Sequence, residues 1–118
     1  IAPTLLAAAG RPIPDEMDGA NALPLLEKKE KSIRDYTIVE CVDDPEKLRL
    51  KTIVTANRKL TYYHGQDFGE LYDLELDPDE FSNLWDNPEY GSDKIKLISL
   101  IIDHMERLEP REKRYAYA

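Results

Sequence analysis

The 118-residue sequence has few of the features that assign a protein directly to a functional class. Its single cysteine excludes an internal disulfide and any zinc site built from several thiolates. Its longest stretch without a charged side chain, residues 1–10, is well short of the roughly 20 apolar residues of a membrane-spanning helix. The 24 acidic side chains outnumber the 16 basic ones, and this balance argues against a nucleic-acid partner, because Lys and Arg supply most of the affinity for phosphate backbones.

The composition is that of a globular domain or part of one. Hydrophobic residues make up 42% of the chain, close to the globular average, which argues against wholesale disorder. The sequence begins with Ile1 rather than Met, and no charged start and apolar stretch of a signal peptide precede Pro3. We therefore expect it to continue a longer protein or to follow a processing site.

The first ten residues predict a short helix with Pro3 in its first turn and Gly10 at its C-terminal end. This helix has no polar face, so we expect other parts of the protein to cover it on every side. Three further features follow in order, namely a turn at Asp18-Gly19, an apolar patch at residues 23–26 and a solvated connector at residues 27–31.

From Tyr36 the apolar residues recur with a period of two, which is typical of strands. The predicted strands are Tyr36–Val42, Leu48–Thr55, Lys59–His64 and Glu70–Leu74. Because the links between them are short, they favour an antiparallel meander over parallel crossovers. In the second strand Leu48, Leu50, Thr52 and Val54 share one face, and Arg49 and Lys51 lie on the other.

Two helices are predicted after the strands. Asp77 caps a brief helix that ends near Trp85 and is anchored by Phe81, Leu84 and Trp85. Ser92 caps a longer helix that runs to about Leu108. Its apolar face comprises Ile95, Ile98, Ile101, Ile102, Met105 and Leu108. The charged tail ends in Tyr115-Ala-Tyr117, which could dock on an apolar surface. The sequence thus predicts an α+β fold, with a small antiparallel sheet of about four strands packed against a C-terminal amphipathic helix.

The residues offer no catalytic or metal-binding constellation. Residues 73–84 resemble a calcium loop, but Pro78 replaces the required glycine and Leu84 the final bidentate Glu, so we interpret them as a turn and helix cap. His64 and His104 each lack a second histidine at ligand spacing. Glu70 and Asp73 would point to opposite faces of a strand, so they cannot act together on one bond.

Cys41 is the remaining reactive side chain. It alternates with Thr37 and Val39, which favours a buried structural thiol over a nucleophile. The sequence also lacks a Gly-rich phosphate loop and a Gly-x-Ser-x-Gly motif. We therefore predict that this chain has no catalytic residue and no metal site of its own.

Residues 69–84, GELYDLELDPDEFSNL, resemble the C-terminal signature of the type I sulfatases, in the alkaline-phosphatase superfamily. Three other stretches agree in the family's order. They are residues 1–10 (IAPTLLAAAG), residues 17–26 (MDG followed by LPLL) and residues 52–63 (TIVTANRKLTYY). The resemblance implies that residues 1–31 are the end of a catalytic domain and a connector, and that residues 32–118 are the sulfatase C-terminal subdomain.

The resemblance also implies that the catalytic groups lie upstream of this chain, in the parent protein. Sulfatases of this family use a formylglycine made from a Cys/Ser-x-Pro-x-Arg motif and a calcium or magnesium ion. Cys41 is followed by Val-Asp-Asp-Pro, so it is not that cysteine. The parent protein is thus expected to hydrolyse sulfate esters, and this fragment is expected to have no cofactor and no activity alone.

In the parent, the fragment is expected to contact its own N-terminal catalytic domain and to border a cleft for a sulfated sugar or other small molecule. Functional groups favour loops on a rigid scaffold, and the predicted hairpin at residues 63–68 places Tyr63, His64 and Gln66 on such a loop. These three side chains could hydrogen-bond a sugar or aryl sulfate, although an ordinary connecting turn is the alternative. Arg58 and Lys59 could attract a sulfate or belong only to a turn and strand.

Two other functions remain open. The parent could be a phosphonate monoester or phosphodiester hydrolase of the same superfamily, or the chain could be a non-enzymatic module whose acidic surface and first helix bind a partner. In a fragment, residues 1–10 are a cut interface through which copies could self-associate, whereas in a module they pack within the monomer. The absence of an Asn-x-Ser/Thr acceptor is compatible with a bacterial source.

Overall fold

The computed structural model describes residues 1–15, 17, 19–43 and 48–108. The chain divides into two compact units, Ile1–Asp35 and Tyr36–Ala118. In the first unit, helix α1 spans Ala2–Ala8 and the single turn α2 spans Leu23–Leu26. Gly10 follows α1 with a φ of +65°, a left-handed conformation that glycine adopts without penalty, so the predicted end of the first helix is confirmed.

The first unit covers its own apolar helix only in part. Pro3 is buried, and the Thr4 hydroxyl accepts a hydrogen bond from the Ala22 N–H at 2.9 Å. Ile1 and Leu5, however, are 95% and 65% exposed. Residues 27–31 are all exposed, as expected of a solvated connector. Asp18, in the predicted turn, lies outside the described residues.

The second unit is a four-stranded antiparallel sheet followed by a long helix. The strands are β1 (Tyr36–Asp43), β2 (Leu48–Thr55), β3 (Arg58–Tyr63) and β4 (Gly69–Asp73), in the spatial order β1-β2-β3-β4. A 3₁₀ turn at Pro88–Tyr90 leads into helix α3, Gly91–Leu108. The predicted α+β fold is thus confirmed, whereas residues 44–47, between the first two strands, and the tail after Leu108 fall outside the described residues.

The core lies between the sheet and α3. The strand register aligns Ile53, Leu60 and Leu71 in one row, each fully buried. Leu97 and Ile101 of α3 complete this cluster at 4% exposure. Since Ile53 lies on the same face of β2 as Arg49 and Lys51, α3 covers that face. The face of β2 that carries Leu48, Leu50, Thr52 and Val54 points away from the helix.

The helix predicted at residues 77–85 does not form. Glu80 has a φ of +58°, which an α-helix does not tolerate. The Asp77 carboxylate does act as a cap, because it accepts hydrogen bonds from the Phe81 and Ser82 N–H groups. Of the predicted anchors, Leu84 and Trp85 pack against the core, but Phe81 is 84% exposed.

The long helix is present, but its buried face differs from the predicted one. Leu97 and Ile101 are buried, whereas Ile95 and Ile102 are 69% and 54% exposed. Polar contacts near its start, at Asp93 and Lys94, fix the rotation of α3 independently of its isoleucine pattern. Ser92 is not its cap, since the helix already begins at Gly91. Within the described residues, no helix is both long and apolar enough to cross a membrane.

Candidate functional site

The hairpin loop between β3 and β4 is a tight turn. The His64 N–H donates to the Arg49 carbonyl at 2.9 Å, and the Gln66 N–H donates to the Tyr63 carbonyl at 3.3 Å. Gly65 between them has a φ of +74°, where a side chain would be strained. The loop is therefore held by backbone hydrogen bonds, and His64 and Gln66 are exposed on it.

The structure separates two of the predicted substrate-binding residues. Tyr63 lies on the sheet face away from α3, where its hydroxyl bonds to the Glu70 carboxylate at 3.1 Å and its ring packs on Phe68 at 5.0 Å. Burial and the Glu70 carboxylate raise the pKa of the Tyr63 hydroxyl. His64 follows on the opposite face, as strand alternation requires. Tyr63 and His64 therefore do not converge on one surface.

His64 contributes instead to a groove on the α3 side of the sheet. The groove has a volume of about 550 Å³ and lies between the sheet and the C-terminal half of α3. Its lining includes Val42, Tyr62, His64, Ile98, Ile102 and Met105. Arg49 and Lys51 also border it, and the Lys51 ammonium forms an ion pair with Glu40 at 2.6 Å. The sequence analysis missed this groove because it depends on where α3 crosses the sheet.

A cluster of charged and polar side chains surrounds Arg58. Its guanidinium contacts the Asp73 carboxylate at 3.0 Å and the Asp93 carboxylate at 2.8 Å. The Tyr90 hydroxyl lies 3.3 Å from Asp73, and the Tyr90 ring lies beneath Arg58. This cluster links β3, β4 and α3, so Arg58 has a structural role and is not available to attract a sulfate. From the sequence, this cluster could be predicted only through the register of the β3–β4 hairpin, which pairs Arg58 with Asp73.

Asp73 is an acceptor for several groups. Burial raises the pKa of this carboxyl, but hydrogen bonds from the Leu76 and Glu75 N–H groups and the charge of Arg58 outweigh burial. The net effect lowers the pKa below its ordinary value, so Asp73 stays ionised. A general base needs a pKa near the working pH, and Asp73 does not fit that role. It also lies on the opposite face of β4 from Glu70, as predicted.

The other candidate residues are Lys59, His104 and Cys41. The Lys59 ammonium forms an ion pair with Glu80 at 2.5 Å and lies 5.9 Å from the Tyr72 ring. His104 packs edge-on against Tyr36. Cys41 is exposed, so the prediction of a buried thiol is wrong for this chain. No element of the described part of the second unit covers the sheet face that carries Cys41. Among the described residues, no three His, Cys, Asp or Glu side chains are grouped to hold a metal ion.

Comparison with known proteins identifies the domain. The family model described as "N-sulphoglucosamine sulphohydrolase, C-terminal" matches residues 1–108. An arylsulfatase of Clostridium perfringens is 32% identical over 115 residues, which cover 98% of this chain and 23% of that protein. The chain spans between a fifth and about a quarter of the length of the curated sulfatases that it matches.

Solved structures share the fold. BT4656, solved in complex with its substrate D-glucosamine-2-N,6-O-disulfate, matches 95% of this chain and 25% of its own length, with a TM-score of 0.77 and 28% identity. The phosphonate monoester hydrolase of Agrobacterium radiobacter matches 89% of this chain and 24% of its own length, with a TM-score of 0.71, but at 22% identity it supports the fold alone. The chain belongs to the N-sulphoglucosamine sulphohydrolase C-terminal family, the C-terminal domain of sulfatases.

Proposed function

We propose that this chain is the C-terminal part of a sulfatase that hydrolyses sulfate esters of sugars, in which it completes the fold and borders the substrate cleft without catalysis of its own. The observation that carries the proposal is the family match over residues 1–108, which includes the signature string at residues 69–84. The solved relative in complex with a sulfated glucosamine supports a sulfated sugar as the substrate class.

The catalytic groups would lie in the part of the parent that this chain does not span. The resemblance implies a formylglycine and a calcium or magnesium ion, but the residues here do not fit either group. Cys41 lacks the proline and arginine of the formylglycine motif. The described carboxylates form no three-residue group for a cation. This chain would therefore contribute shape and substrate contacts only.

The hairpin loop would supply those contacts through His64 and Gln66. Both are exposed on a turn whose backbone is held by hydrogen bonds, so little backbone entropy would be lost when they bind a sugar hydroxyl or sulfate oxygen. Tyr63 can offer such a ligand only the second lone pair of its oxygen, because its proton is directed to Glu70. We infer that Tyr63 mainly holds the loop against Phe68.

Kinetics of the full-length parent test the proposal. The substrates are an aryl sulfate, glucosamine 6-sulfate, glucosamine-2-N,6-O-disulfate and, for comparison, a phosphonate monoester. We expect hydrolysis of the sulfates, with a higher kcat/KM for a sugar sulfate than for the phosphonate. A preference for the phosphonate monoester, or no hydrolysis of any sulfate, would refute the function.

Two variants of the parent test the loop. His64→Ala and Gln66→Ala should each raise KM several-fold and leave kcat unchanged, because they remove contacts made equally to substrate and transition state. His104→Ala is the matched control, since it removes a histidine on α3 that packs on Tyr36. An unchanged KM in both loop variants would mean that the loop is only a connecting turn.

A further inference from the structure

Phe68 is the one apolar side chain in the hairpin loop between β3 and β4, whose other residues, 64–67, read His-Gly-Gln-Asp. Its side chain is 52% exposed. The loop therefore presents half of an aromatic surface to its surroundings, and that surface gains stability when another apolar group covers it. The sequence analysis did not select Phe68, because it searched the loop for hydrogen-bonding groups.

The ring of Phe68 is held in place by its neighbours. Tyr63 packs against it with the ring centroids 5.0 Å apart and the ring planes tilted by 44°, which is a favourable aromatic pair. The Tyr63 hydroxyl is bound in turn to the Glu70 carboxylate at 3.1 Å. At the next residue, the Gly69 carbonyl accepts a hydrogen bond from the Asn83 amide at 2.9 Å. An aromatic side chain that is already held in place loses little conformational entropy when it binds a ligand.

The chemistry of this surface suits the ring of a sugar. A pyranose carries hydroxyls around its edge and C–H groups on its two faces, so it needs hydrogen-bonding groups beside it and an apolar surface beneath it. The π face of Phe68 carries partial negative charge, which attracts C–H groups and repels anions. Gln66 and Asp67, exposed on the same loop, offer an amide and a carboxylate for hydroxyls. Phe68 is therefore suited to the ring of a sulfated sugar rather than to its sulfate group.

We propose that Phe68 is a specificity-determining residue of the parent sulfatase, in which its ring stacks on the C–H face of the substrate's sugar ring. This inference rests on the proposed function, because it requires the hairpin loop to border the substrate cleft. It also gives Tyr63 a role in the site, as the positioning residue that holds the Phe68 ring.

Steady-state kinetics of the full-length parent with glucosamine 6-sulfate and glucosamine-2-N,6-O-disulfate test the proposal. Phe68→Leu keeps an apolar side chain but removes the π face, and it should raise KM by about three- to ten-fold with kcat unchanged. Phe68→Tyr keeps the ring, and its KM should stay within about two-fold of the wild type. Inorganic sulfate, a product without a sugar ring, should inhibit the wild type and Phe68→Leu equally.

Phe81→Leu is the matched control. Phe81 is the other phenylalanine of the chain and is 84% exposed, but it lies on the turn that Asp77 caps rather than on the hairpin loop. Its substitution removes an exposed aromatic ring in the same way and should leave KM unchanged.

A double-mutant cycle tests whether Tyr63 acts through Phe68. Tyr63→Leu should raise KM by itself and have little further effect in the Phe68→Leu background, because the two rings act as a unit. Increases in KM that simply add in the cycle would show that Tyr63 does not position the Phe68 ring.

An unchanged KM in Phe68→Leu would overturn the proposal, and so would equal increases in Phe68→Leu and Phe68→Tyr. Weaker inhibition of Phe68→Leu by inorganic sulfate would assign the effect to a general disturbance of the cleft and would also overturn it. Hydrolysis of the sugar sulfates with unchanged KM in Phe68→Leu would refute this inference alone. A wild-type parent that hydrolyses neither glucosamine sulfate would refute the proposed function and this inference together.

Discussion

The contact between Gly69 and Trp85 allows a stability prediction to be worked out from the coordinates. A Cβ atom added at Gly69 would lie 2.4 Å from Cζ3, 2.5 Å from Cε3 and 2.6 Å from Cη2 of the Trp85 ring. Ordinary contacts begin at 3.4 Å, so the ring would have to retreat by about 1 Å. Gly69→Ala therefore forces either the indole or strand β4 to move.

The ring cannot retreat freely, because Trp85 is held on several sides. Its carbonyl accepts a hydrogen bond from the Lys94 ammonium at 2.6 Å, and the same ammonium lies 4.5 Å from the ring centre. Its backbone N–H donates to the Asn83 Oδ1 atom at 3.0 Å. Overpacking of a constrained site costs about 1–3 kcal/mol, and we expect Gly69→Ala to lie in that range.

Urea unfolding followed by circular dichroism measures this cost, with a double-mutant cycle that isolates the clash. In a Trp85→Leu background, where the ring is absent, Gly69→Ala should cost less than about 0.5 kcal/mol. Gly91→Ala is the control, since it places the same methyl group in open space at the helical start of α3 and should be neutral or slightly stabilising. A free energy of unfolding unchanged by Gly69→Ala, or costs that simply add in the cycle, would refute the reasoning.

Two further predictions concern the neighbouring strand β4. The lowered pKa of Asp73 means that its contribution to stability is complete above the unfolded pKa of about 3.9 and is lost as the pH falls through the lower folded pKa. Urea midpoints measured from pH 7 to pH 2 should therefore fall more steeply below pH 4 in the wild type than in Asp73→Asn. Equal slopes would contradict this prediction. Asn83→Ala removes hydrogen bonds to the Leu71 N–H and the Gly69 carbonyl and should cost about 1–3 kcal/mol of unfolding free energy. Asn83→Asp keeps the acceptor but sets a carboxylate oxygen against the Gly69 carbonyl in place of the donor, so it should also destabilise the domain. A free energy of unfolding unchanged by both variants would be inconsistent with this edge contact.

The sheet could be predicted from the sequence because its signals are local. Alternation and short links fix four strands and their antiparallel order, and β2 was predicted with its observed bounds, Leu48–Thr55. The prediction for residues 77–85 was wrong because Asp77, Pro78 and Glu80 are as typical of a capped turn as of a helix start. The φ of +58° at Glu80 selects the turn, and the Glu80 ion pair with Lys59 of β3 stabilises it. That partner lies 21 positions earlier in the sequence, so no local pattern indicates it.

The candidate site was harder to predict, because it depends on how elements meet. Sequence alternation alone implied that neighbouring Tyr63 and His64 point to opposite faces, yet loop composition favoured both as ligands. The groove beside His64 requires the rotation of α3, which is set by Asp93 on Arg58 and by Lys94 on Trp85. Two isoleucines of the predicted buried face, Ile95 and Ile102, are consequently exposed, and Ile102 lines the groove.

The same logic explains why the prediction for Cys41 was wrong. Alternation placed Cys41 with Val39 on an apolar face, and such a face is ordinarily buried, yet both residues are exposed here. The apolar pattern of a sequence reflects burial in the complete protein, whereas the exposure of a residue depends on the part of the chain that is present. If the rest of the parent covers the sheet face that carries Val39 and Cys41, the thiol is buried there and the alternation is consistent with the fold. The rate at which iodoacetamide alkylates Cys41 in the native parent therefore tests whether the apolar pattern of β1 and β2 describes this chain alone or the larger protein that contains it.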